Sequence, residues 1–150
     1  RLLATALASF LAVHGSRLTV LDLAGAPLGR ELPALLTPIV SALHTCRTRE
    51  LQWLGLNGCH LGDRGLTLLL PWLAGADNAV PRLEALALAW NGLADVRLVE
   101  ALLRARARLC FERRAAPLRL LDLSGNPRLG NPMLAAPGKV AAPPSARQHE

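Results

Sequence analysis

An α/β architecture of repeated strand–helix units, with the strands side by side in a parallel sheet, is expected from this chain on three grounds. Four short segments, Leu18–Leu28, Leu51–Leu61, Leu83–Leu93 and Leu118–Leu129, share one leucine register and begin 33, 32 and 35 residues apart. Stretches with helical apolar spacing separate them. A length of 150 residues with 51% hydrophobic composition is enough for one domain with a sizeable core.

Each segment follows the pattern L-x-x-L-x-L-x-x-N/C-x-L. Leucines at its fourth and sixth positions point inward and alternate with outward residues, as the two-residue period of a strand requires. The ninth position carries Cys59, Asn91 and Asn126, side chains suited to satisfying buried backbone groups where the chain turns out of the strand. These three form an expected structural ladder. Helices are expected over 2–13, 30–45, 63–74 and 95–109. Asp63 and Asp95 each stand two residues after the last motif leucine, where an N-cap carboxylate would accept from free N–H groups.

Four occurrences in phase make the pattern specific, and it resembles the leucine-rich repeat family. The period is similar to that of the long-repeat, ribonuclease-inhibitor-like class. The resemblance implies a solenoid, a curved βα horseshoe with its parallel sheet on the concave side and its helices on the convex side. It also implies binding of macromolecules along the curve. Two departures stand out: Ala26 fills the first Asn/Cys slot, and the fourth unit holds one extra residue before Leu129.

Residues 1–129 form the expected repeat domain, about four repeats, and 130–150 a Pro/Ala-rich tail or linker. The chain starts without Met inside the helix of a repeat whose strand is missing, and no polar cap seals Leu2 to Val13. A solenoid end needs such a cap, so a fragment of a longer array is expected.

No apolar stretch approaches the roughly 18–20 residues of a membrane span, and the start lacks a signal-peptide cleavage pattern. Cys46, Cys59 and Cys110, odd in number and widely spaced, suit neither a disulfide framework nor a four-ligand zinc site. A reducing, cytoplasmic setting follows as the expectation. The net charge of +6 rests almost wholly on arginine, Lys139 being the one lysine. With Ala, Leu, Gly and Pro in excess and no tyrosine, that balance reflects GC-rich coding as much as a nucleic-acid partner.

Catalytic chemistry finds no constellation. Asp22 and Asp122 share the outward fifth position, but three strand spacings set them about 14 Å apart, beyond the ~5–9.5 Å of a working carboxylate pair. The pairs His44/Cys46 and Cys59/His60 match no zinc-ligand spacing. Gly125–Gly130 lacks the Lys-Ser/Thr of a phosphate loop, and Ser124 has no nucleophile elbow around it. No enzyme activity, cofactor, metal or small-molecule substrate is expected.

Two surfaces remain. Outward strand positions read Val20, Trp53, Ala85, Leu120, then Asp22, Gly55, Ala87, Asp122, then Ala24, Asn57, Ala89, Ser124. This is a small-residue floor with an exposed Trp53 beside Leu120 and Val20, an Asp at each end, and Trp90 at the rim or plugging the turn. Tryptophan is favoured at interface hot spots, so Val20, Asp22, Trp53, Asn57, Trp90, Leu120 and Asp122 are the candidate protein-binding residues. Trp72 is expected to pack among the helices. The second surface is an arginine cluster, Arg97, Arg104, Arg108, Arg113 and Arg114, with Arg106 pointing elsewhere on the helix. It is a candidate polyanion site, though without interleaved aromatics for base stacking.

The expected function is a non-catalytic protein–protein interaction module, a scaffold or assembly subunit of a larger intracellular complex. The alternative is a ribonucleoprotein-associated peripheral subunit touching RNA through the arginine-rich face. A small-GTPase regulator or an innate-immune sensor rests on fold analogy alone.

Overall fold

The computed structural model describes residues 2–29, 34–45, 48–75, 77 and 79–130. The expected tail 130–150 after its first residue, Cys46 and the first part of the expected helix 30–45 lie outside the described residues.

Four three-residue strands, β1 (Val20–Asp22), β2 (Trp53–Gly55), β3 (Ala85–Ala87) and β4 (Leu120–Asp122), form one parallel sheet in chain order. Their register aligns the leucine pattern position by position. Leu21, Leu54, Leu86 and Leu121 are successive partners on one face, flanked by the rows Val20, Trp53, Ala85, Leu120 and Asp22, Gly55, Ala87, Asp122 on the other. A slip of one residue would send every leucine to the opposite face, which is why the hydrophobic pattern fixes this register. Backbone pairing runs on past the strands: Leu23 N–H donates to Gly55 O at 2.8 Å, Gly25 N–H to Asn57 O at 2.8 Å and Trp90 N–H to Ser124 O at 2.9 Å.

The four helices are α1 (Leu2–His14), α2 (Leu36–Thr45), α3 (Gly62–Ala74) and α4 (Val96–Phe111), with a 3₁₀ turn, Gly15–Arg17, between α1 and β1. Each α-helix packs on the next in sequence. Between helices and sheet lies one core in which Leu21, Leu54 and Leu86 meet Leu66, Leu69, Leu73 and Leu102. Trp72 is fully buried in that core. At roughly 1.5–3 kcal/mol per buried leucine, this shared layer is the main stabilising term.

The helix starts differ in an instructive way. Asp95 caps α4 as expected, its carboxylate accepting from Arg97 N–H at 2.9 Å. Asp63 does not cap α3. That helix begins one residue earlier, at a Gly62 whose φ of +57° favours glycine. The Asp63 carboxylate instead accepts from Ala94 and Asp95 N–H at 2.9 and 3.0 Å, tying one unit to the next.

The ninth-position ladder is a set of hydrogen bonds directed at the preceding unit. Asn91 Oδ1 accepts from Cys59 and Leu61 N–H, while its Nδ2 donates to Leu56 O at 2.7 Å. Asn126 repeats this, with Oδ1 accepting from Asn91 and Leu93 N–H and Nδ2 donating to Leu88 O. Cys59 donates Sγ to Leu23 O at 3.0 Å, and the backbone N–H groups of Gly25 and Ala26 in the first turn face its sulfur. Burial pushes the Cys59 thiol up to about 11, against an ordinary 9.0.

Candidate functional site

The sheet face opposite the helices carries the expected binding residues, and their side chains fall into two groups around two tryptophans. The first group is built on Gly55. A side chain there would begin 2.3 Å from Cη2 of Trp53 and 2.6 Å from Oδ1 of Asp22. The far end of the Trp53 ring and the Asp22 carboxylate therefore share the space over Gly55, and Trp53 is half-buried, not freely projecting. Val20, 57% exposed, is its partner across β1 and β2. Leu120 is not beside Trp53 as the sequence suggested. It stands on β4 with Ala85 of β3 between them.

The second group is built on Trp90, which is 69% exposed. It occupies the eighth motif position, where the other three units have Gly25, Gly58 and Gly125, all with positive φ. Trp90 adopts the same left-handed backbone at φ +57°. Its ring lies across Gly125, whose missing side chain leaves the space it fills. A left-handed conformation costs a bulky residue on the order of 1–2 kcal/mol. Sequence reasoning placed Trp90 at the rim or in the turn without separating the two. The signal was there: one bulky residue in a column otherwise made of glycine.

The remaining face residues are partly spent on the backbone. Asp22 Oδ1 accepts from Ala24 N–H and Asp122 Oδ1 from Ser124 N–H, each at 2.9 Å. The bond from Ser124 holds the Asp122 carboxyl below the usual range. Asn57 Oδ1 accepts from Ala89 N–H at 2.8 Å. Asp22 and Asp122 sit at opposite sides of the four-strand row, with Gly55 and Ala87 between. Among the described residues, no group of three or more His, Cys, Asp or Glu converges on a common point. No described helix is long and apolar enough to cross a membrane.

The arginine cluster is largely committed to neighbouring acids. Arg104 pairs with Glu100 at 3.1 Å, and Glu112 takes Arg108 at 2.8 Å and Arg114 at 3.4 Å. The Arg108 hydrogen bond depresses the Glu112 carboxyl, and that same bond raises the Arg108 guanidinium. Arg113 stops α4. With φ +56° it lets Arg114 N–H reach Leu109 O and its own N–H reach Cys110 O, a Schellman ending.

Arg106 is the residue the sequence reading undervalued. Only 3% exposed, it donates Nη1 to Val80 O (3.0 Å) and Leu73 O (3.4 Å), and Nη2 to Leu83 O (2.9 Å) and Ala116 O (3.1 Å). It gathers four carbonyls from α3, α3's following loop and the approach to β4, and desolvation lowers its pKa. Beside it, an open groove of about 460 Å³ runs along α4 past Leu103, Ala107, Cys110, Phe111 and Leu118. Phe111 there is 90% exposed.

No protein-family model matches the chain, and no curated protein matches it. One solved structure is similar: "Leiomodin-1 Actin-Binding Site 2 (ABS2)", at a TM-score of 0.60 and 12% sequence identity. The match covers 86% of this chain and 66% of that one, so the chain spans just under two thirds of that structure's length. At that identity the likeness is one of fold.

Proposed function

We propose that this chain is a leucine-rich-repeat solenoid serving as a non-catalytic protein–protein interaction module, a scaffold or assembly subunit whose helix-free sheet face docks the partner. The observation that carries this reading is Trp90. An exposed indole at a left-handed position, in a column where the sister units use glycine, is held against its own backbone preference. A large amphipathic ring kept at the surface at such a cost is what an interface anchor requires. The four-fold leucine register and the Asn/Cys ladder support the family reading. The similar structure is described as an actin-binding site, which supports protein binding as a use of this fold. Attachment to RNA through α4 has less support, because Arg104, Arg108 and Arg114 are paired with acids.

The test compares Trp90→Gly with Arg97→Glu in a native-extract pull-down followed by an affinity measurement on the recovered partner. Loss of about 2 kcal/mol or more of affinity in Trp90→Gly, with Arg97→Glu unchanged, is the expected result. Binding lost in Arg97→Glu and kept in Trp90→Gly would transfer the interface to the helices.

A further inference from the structure

We propose that the Trp53–Gly55–Asp22 group is a seat for a cationic side chain, an arginine or lysine presented by an extended segment of the partner protein. This deepens the reading of the sheet face as a docking surface and rests on it. Three features support it. Gly55 lacks the side chain that would fill this space, so the far end of the Trp53 ring and the Asp22 carboxylate both stand over it. A cation seated there would stack on the face of the ring, where the quadrupole is negative, while donating a charge-assisted hydrogen bond to the neighbouring carboxylate. Asp22 is exposed, and one of its oxygens is already fixed by Ala24 N–H, so the carboxylate is oriented before any ligand arrives.

Charge distribution selects the partner's sign. The molecule carries a formal +6, yet Asp22 and Asp122 are the charged residues in the outward rows of the described strands. At the edge of that face Glu84 and Arg119 neutralise each other at 3.4 Å, as do Glu50 and Arg82. With a carboxylate at each end of its outward rows and no arginine in them, this face favours a basic segment over an acidic one.

The experiment follows the Trp53 indole N–H resonance by NMR while hexa-arginine or hexa-glutamate peptide is added to the whole chain. Binding of hexa-arginine runs against the net charge, so general attraction would not produce it. A saturable shift of the Trp53 signal with hexa-arginine and none with hexa-glutamate is expected. Asp22→Asn, which keeps an oxygen for Ala24 N–H, should weaken that binding about tenfold. An unmoved Trp53 signal, or equal affinity in Asp22→Asn, overturns the cation seat. The docking surface is read separately: partner capture lost in Trp90→Gly but untouched by Asp22→Asn leaves that surface standing and removes the basic ligand.

Discussion

Asn91, Asn126 and Arg106 show how single side chains hold these units in phase. An alanine in place of Asn91 leaves Cys59 and Leu61 N–H groups and Leu56 O without partners in a dry environment. Each such loss costs on the order of 1–3 kcal/mol, so Asn91→Ala should destabilise by about 3 kcal/mol in chemical denaturation. Arg106→Ala should cost about as much, since four carbonyls lose their donor. Lysine at that position should not restore the loss, because an ammonium lacks the planar fork that reaches both pairs. Asn91 and Asn126 were legible as structural from the motif. Arg106 was not, because nothing in the spacing of one helix reveals that a basic residue faces carbonyls from other segments. Cys59 supplies a pH test. In the unfolded chain the thiol ionises near its ordinary 9.0, and in the folded protein only at about 11. Its stabilising contribution is therefore complete below pH 9 and lost as pH rises toward 11. The denaturation midpoint should fall more between pH 8 and pH 10.5 for the native protein than for Cys59→Ser, and equal falls would contradict this assignment.

At the scale of the element, strand and helix positions follow closely from periodicity. The leucine alternation located all four strands. Three helices shifted by one or two residues at a boundary, whereas α2, expected from residue 30, begins only at Leu36 after a turn at Ala34 and Leu35. Asp63 illustrates the limit: its position suggested a cap, yet the left-handed Gly62 starts α3 early and frees the carboxylate to bind the next unit. His60, Trp90 and Arg113 sit at left-handed angles, and the last two separate stability from binding. Arg113 ends α4 and gains nothing visible from its side chain's identity, so Arg113→Gly should stabilise by about 0.5–1 kcal/mol. Trp90→Gly should also leave thermal stability equal or higher, because relieving the backbone offsets the little ring burial that is lost. The two differ in binding, which Arg113→Gly leaves intact and Trp90→Gly removes.

For the molecule as a whole, the repeat sets both the core and the free surface. Leucines at fixed positions place one sheet face against the helices, so whatever occupies the alternate positions is presented outward without further design. That is why the list of face residues could be written from the sequence. Their groupings could not: the sequence put Trp53 with Leu120, whereas the strand order puts Val20 beside it and Ala85 in between. Nor could spacing show that Gly55 and Gly125 serve as beds for two indole rings. The resulting molecule has a basic helical exterior on which Arg104, Arg108 and Arg114 are paired with acids, and a weakly acidic sheet face carrying two tryptophans. The most direct measurement of which surface docks is photo-crosslinking in native extract with p-benzoylphenylalanine replacing Trp53 in one protein and Arg104 in another. A discrete adduct from position 53, lost when Trp90→Gly is added, and none from position 104 is the predicted outcome. An adduct from position 104 with none from position 53 would contradict it.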